Sequence, residues 1–131
     1  MAEDVAALLE RAAFVWQRAQ LLFKAPSRLE EPEALKLVHE IVRHPECEAG
    51  LVALLGSPKQ LVVAYALMTL RWMGSSVLVK LSDELLNRRE NISIQCGSFR
   101  IGMDLGGLAR QYRKEARRRV EPRLAEDGPR E

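Results

Sequence analysis

The sequence predicts an all-α fold of about six helices in three stacked hairpins. Three observations carry that expectation. Pro32, Pro45 and Pro58 stand 13 residues apart, and each opens an amphipathic or apolar run. Proline is favoured at the first helical position, where its missing N–H would have no partner anyway. Residues 3–24 repeat apolar side chains at the i, i+3, i+4, i+7 spacing of a helix face. Composition is 47% apolar and 29% charged with only 5% aromatic, and it is rich in Ala and Leu, as packed helices require. At 131 residues the chain reads as one helical domain over 1–121 and a disordered polar tail over 122–131.

Helix one is expected over residues 3–24. Val5, Leu8, Leu9, Ala12, Val15, Trp16, Ala19, Leu22 and Phe23 share an arc of roughly 140° at 100° per residue, which marks the core face. Ala7, Phe14 and Leu21 recur every seven residues on the opposite side. Such a stripe is either covered by a chain end or used in self-association. Residues 26–31 are loop by composition. Helix two opens at Pro32 and places Glu33 in its first turn, where a negative charge suits the dipole. It buries Leu35, Val38, Ile41 and Val42 and ends near His44. Helix three starts at Pro45 and buries Leu51, Val52, Leu54 and Leu55. Gly56 ends it, and Ser57 caps the next helix.

Helix four, residues 58–73, is apolar nearly all round, so it needs neighbours on most sides and belongs at the centre of the domain. Gly74 is its C-cap. Ser75 or Ser76 caps a fifth helix reaching Arg88, with Val77, Leu78, Leu81, Leu85 and Leu86 as its packed stripe. Residues 90–102 give a mixed pattern. Ile92-Ser93-Ile94 alternates like a strand, but one isolated strand has nothing to pair with, so a loop or irregular helical turn is expected. Helix six runs from about Met103 to Arg118, with Asp104 as its helix-start residue. Gly106 and Gly107 inside it each cost about 1 kcal/mol relative to alanine and suit close approach to a neighbour.

The charge is uneven. The chain carries a net +2, but residues 1–87 hold nine Lys/Arg against eleven Asp/Glu, and residues 88–131 hold eleven against seven. Two cysteines, Cys47 and Cys96, are too few for a disulfide framework and read as packed thiols in a reducing compartment. Glu3 and Asp4 stand where a secretory leader would be basic. The longest apolar run is far short of the roughly 20 residues that span a bilayer. These features predict a cytoplasmic protein with no membrane partner. Fifteen arginines against five lysines suggest a GC-rich, bacterial genome.

The stretch Gly50-Leu51-Val52-Ala53-Leu54-Leu55-Gly56-Ser57-Pro58-Lys59-Gln60-Leu61-Val62-Val63-Ala64-Tyr65-Ala66, continuing to Leu70, resembles a degenerate HEAT or armadillo-like repeat. A leucine-rich helix leads through a tight proline turn into a helix with small residues at fixed places. Val62 and Ala66 fit that pattern. Val63 stands where such repeats carry arginine, and Gly56-Ser57 where they carry aspartate. The resemblance implies an α-α superhelix in which helix one pairs with two, three with four and five with six. Such folds mostly bind proteins or nucleic acids and rarely catalyse.

The strongest functional candidate is the basic run Arg110, Arg113, Lys114, Arg117 and Arg118. These five fall within roughly 140° on a helical wheel, with Leu105, Leu108, Ala109, Tyr112 and Ala116 on the far side. They suit an acidic partner or phosphates; the plainer reading is a solvated helix face. Arg119 points toward the apolar side, so fraying is expected before it. His39, His44, Cys47 and Glu48 are the one metal-like grouping, but the five-residue step between the histidines does not share a helix face. Cys47 with His44 lacks an orienting third residue for nucleophilic work. Gly102-Met103-Asp104-Leu105-Gly106-Gly107 lacks the strand, lysine and spacing of a phosphate loop. Trp16 and Trp72 read as core anchors. The expectation is therefore a non-enzymatic protein-interaction domain without cofactor or metal. It binds another protein or a second copy of itself, and nucleic acid is the alternative partner.

Overall fold

The computed structural model describes residues 2–20, 22–23, 32–96 and 98–127. Within them the chain is mostly helical, and it also contains a three-stranded sheet, so the fold is not purely all-α. α1 (Ala2–Arg18) turns its Trp16 face inward. The Trp16 ring stacks on Tyr65 at 5.5 Å between centroids, and its Nε1 donates to the Ala34 carbonyl at 3.0 Å. The expected continuation to residue 24 does not form. Ala19 N closes the last turn on the Trp16 carbonyl, and Leu22–Phe23 become β1. Two apolar residues in register with a helix serve a short strand equally well, and here Leu22 is fully buried against the sheet.

α2 (Glu33–Val42) buries Ala34, Leu35, Leu37, Val38 and Ile41. Pro32 stands just before it in extended backbone, and its carbonyl accepts from Leu35 N and Lys36 N, both at 3.0 Å. Pro45 opens a 3₁₀ turn (Pro45–Cys47) rather than the helix itself, and α3 follows as Glu48–Leu54. Leu51 is fully buried, but Val52, expected in the core, is exposed. α4 (Gln60–Met73) starts two residues after Pro58. Ser57 does not cap it; its Oγ instead accepts from Lys59 N within the turn.

Every residue of α4 from 61 to 70 is buried, and α1, α2, α3 and α6 all pack on it, as an all-apolar helix demands. Gly74 ends it with φ +72°, the left-handed conformation expected of a glycine C-cap. The fifth helix is broken in two. A 3₁₀ segment (Ser76–Lys80) ends at extended Leu81, and Ser82 starts α5 (Asp83–Leu86) by accepting from Leu85 N at 3.2 Å. Ser82 followed by Asp83 and Glu84 is a strong helix start, and it overrides the apolar stripe running through it.

Residues 91–104 overturn the loop expectation. β2 (Asn91–Cys96) and β3 (Phe99–Asp104) form an antiparallel hairpin pairing Asn91 with Asp104 through to Cys96 with Phe99. β1 supplies the partner that an isolated strand lacked. It pairs parallel to β2, Leu22 with Ile94 and Phe23 with Gln95, in the sheet order β1-β2-β3. α6 (Leu105–Asp127) follows directly. Asp104 Oδ1 accepts from Gly107 N at 2.7 Å, the N-cap role expected of it. The helix continues past Arg119 and the expected domain end at 121. Residues 128–131, the 24–31 stretch that includes the expected loop, and Leu21 of the proposed stripe lie outside the described residues. The pairs α1 with α2, α3 with α4, and α5 with α6 all pack.

Both tyrosines of the chain lie in this core. Burial pushes the Tyr65 phenol up from its ordinary 10.0 to about 12, partly opposed by the Phe23 N–H that donates to it. Burial, then the nearby Glu115 carboxylate, push Tyr112 up as well. A phenol raised in the fold stabilises it fully below its unfolded value and withdraws that stability as pH climbs to the folded one. Tyrosinate absorbance should therefore stay low above pH about 10 while the chain is folded. It should then appear in one step with loss of helix signal. Separate ionisation of either phenol in folded protein would contradict this placement.

Candidate binding surfaces

α6 divides as its sequence indicates. Leu105, Leu108, Ala109, Tyr112 and Ala116 are buried, while Arg110, Lys114, Arg117 and Arg118 are exposed and Arg113 is half-buried. The buried side fixes the rotation of the helix, so the cations are held at helical spacing over about 12 Å. At the margin, Glu115 pairs with Arg71 at 3.0 Å and accepts from Gln111 at 3.3 Å. That pair closes the seam between α6 and α4 and leaves the basic arc outside it. Arg110 donates to Asn87 Oδ1 at 3.2 Å. Arg119 is exposed rather than turned into the core, and a β-carbon placed on Gly74 would lie 3.7 Å from its Nη1.

The proposed self-association stripe is described only in part. Ala7 and Phe14 are exposed, Phe14 at 55%. Phe14 borders a groove of about 470 Å³ with Val15, Ala19, Phe23 and Pro32, and the Arg18 guanidinium lies 5.3 Å from its ring centroid.

A second groove, of about 630 Å³, lies between the α3–α4 turn and α5. Its polar wall is Arg88, whose guanidinium donates to the Ser57 carbonyl at 2.7 Å, the Pro58 carbonyl at 3.3 Å and the Glu90 carboxylate. That bond holds the Glu90 carboxyl below its usual range. The guanidinium is spent on the fold, so this groove is a structural joint.

The grouping of His39, His44, Cys47 and Glu48 does not assemble. His39 stacks at a tilt against Trp72, 5.0 Å between ring centroids, and His44 Nδ1 faces Glu46 at 4.0 Å. Glu48 accepts from Ser75 Oγ at 2.6 Å. Among the described residues no three His, Cys, Asp or Glu side chains converge as metal ligands. Burial, with Glu46 beside it, pushes the Cys47 thiol up, away from a reactive thiolate. Cys96 is a second free cysteine, half-buried on β2. Trp16 is a core anchor, whereas Trp72 is only half-buried at the rim.

The helical reading gives no place to two exposed apolar side chains, one of which is the most exposed large apolar side chain among the described residues. Phe99 is 74% exposed and Ile101 49%, both on β3 at the outer edge of the sheet. Their signal was present: two alternating runs separated by Gly97-Ser98, the two-residue spacing of a hairpin. Among the described residues no helix is long and apolar enough to cross a membrane. Set against protein-family models, curated proteins and solved structures, the chain matches none of them.

Proposed function

We propose that the chain is a non-enzymatic protein-interaction domain of the bacterial cytoplasm, a degenerate HEAT-like helical repeat that receives an acidic protein surface on the outer face of α6. The observation that carries this reading is the fixed arc of Arg110, Arg113, Lys114, Arg117 and Arg118, backed by a fully buried inner face. A preformed helix spares the backbone cost of ordering these cations on binding, and arginine pairs with carboxylates bidentately. Packed helix pairs and the two free cysteines fit the repeat reading and a reducing compartment. No aromatic interleaves the arc, which favours an acidic protein over stacked single-stranded nucleic acid.

Fluorescence anisotropy with a labelled polyglutamate peptide and with a DNA duplex tests it. The peptide should bind at low salt, and Arg113→Glu with Arg117→Glu should weaken it at least tenfold while the helix signal is unchanged. Duplex binding that exceeds peptide binding, falls steeply with salt and is lost in the same double variant would establish the nucleic-acid alternative instead. Binding of neither probe, or binding indifferent to the two reversals, overturns the role given to α6.

A further inference from the structure

The outer edge of the sheet supports an inference independent of the α6 reading. Residues directly opposite in an antiparallel pair point to the same face, so Phe99, Ile101 and Met103 lie on the face of Cys96, Ile94 and Ile92. Ile92 and Ile94 are buried in the core, but their partners Met103 and Ile101 are half-buried and exposed respectively. The apolar face of the sheet thus continues past the helical layer and ends uncovered on β3.

The backbone of that edge can be read as well. Leu105 N donates to the Glu90 carbonyl at 2.8 Å, one step beyond the Asn91–Asp104 pair. Ladder bonds in an antiparallel pair involve alternate residues. The N–H and C=O groups of Phe99, Ile101 and Met103 therefore face β2, and those of Arg100, Gly102 and Asp104 face outward. Natural edge strands are commonly blunted by lysine, proline or a bulge. β3 has six consecutive paired residues and contains neither lysine nor proline.

We propose that a second copy of this chain adds to β3, antiparallel across a two-fold axis through Gly102, so that Arg100 of each copy meets Asp104 of the other. The charges of the strand select both occupant and register. Outward residues must face outward residues, which limits the choice to registers centred on single residues. An axis at Arg100 sets the two arginines against each other, which is destabilising. An axis at Ile101 leaves Arg100 opposite a glycine. An axis at Gly102 forms two Arg–Asp pairs on one face and two Ile101–Met103 pairs on the other. Asp104 spends one oxygen on Gly107 N and keeps the second for the arginine. The edge is complementary to itself, as an isologous interface requires.

Light scattering on the full chain should give twice the 14.8 kDa of one copy. Ile101→Lys and, separately, Arg100→Glu should each return the single-chain mass with an unchanged circular dichroism spectrum. Register is read by cysteine trapping in a Cys96→Ser background. Residues on the axis of a bonded antiparallel pair stand about 5.5 Å apart, within disulfide reach. Gly102→Cys should therefore cross-link to itself on oxidation, and Ile101→Cys should not. A Cβ at position 102 meets only Asn91 Oδ1 at 3.8 Å and the Ile92 carbonyl at 3.9 Å, so that variant keeps the fold. A monomer at every concentration overturns the proposal. So does a dimer that survives Ile101→Lys but is lost with Phe14→Asp on α1, or cross-linking at 101 in place of 102.

Discussion

Replacing Gly106 by alanine should destabilise the protein by about 3 kcal/mol, although the same change inside a helix ordinarily adds about 1 kcal/mol of stability. A β-carbon on Gly106 would sit 2.3 Å from the Leu86 carbonyl oxygen and 2.7 Å from that of Arg88. Both are backbone atoms, so no side chain can swing away. Gly106 N also donates to the Arg88 carbonyl at 2.7 Å. Moving α6 back to admit a methyl group breaks that bond, worth about 1 kcal/mol, and loosens the packing of Leu105 and Leu108. Overpacking of this kind costs about 1–3 kcal/mol. Gly56→Ala is the control: its β-carbon would meet only the Ala53 carbonyl, at 3.6 Å, and should change little. Urea denaturation of the two variants reads the contrast. Equal stability of Gly106→Ala and the parent chain would mean that α6 does not lie against the end of α5 as described.

The close approach at Gly106 is legible in the sequence alone, as are the buried side of α6, the central place of α4, the Gly74 cap and the Asp104 helix start. All of these are written in local spacing: a helical period, a small residue or a capping side chain within a few positions. The sheet is not legible in the same way. Ile92-Ser93-Ile94 does alternate, but its neighbours are Leu22–Phe23, far away along the chain, and Phe99–Asp104. Leu22 and Phe23 also fit the helical stripe of α1, so periodicity alone does not assign them. The break at Leu81–Ser82 is hidden for a related reason, because the apolar stripe runs across it. Of the candidate surfaces, the α6 cations stand out on a helical wheel. The β2–β3 hairpin has a local signal in the Gly97-Ser98 spacing, but that β1 covers one side of β2 and leaves β3 as the outer edge depends on a distant pairing that no local pattern encodes.

Arg88→Met should cost about 3 kcal/mol, the effect of withdrawing one cation from three acceptors in a largely enclosed joint. Arg88 is only 17% exposed and ties the start of β2 to the α3–α4 turn through the Ser57 and Pro58 carbonyls. Methionine keeps the apolar stem but leaves both carbonyls and the Glu90 carboxylate without their donor. Arg88→Lys should recover only part of the loss, because an ammonium cannot reproduce the planar fork that reaches all three. The pair also carries a pH signature. Glu90 is held below its ordinary 4.5 chiefly by the Arg88 hydrogen bond. Its contribution is therefore complete above that value and disappears as pH falls through the lower folded-state value. The stability gap between parent and Arg88→Met should narrow under acid, and Glu90→Gln should remove most of that narrowing. A double-mutant cycle at neutral pH isolates the pair from the two carbonyl bonds. Strict additivity of Arg88→Met and Glu90→Gln would mean that Arg88 supports the turn alone, and that Glu90 merely lies beside it.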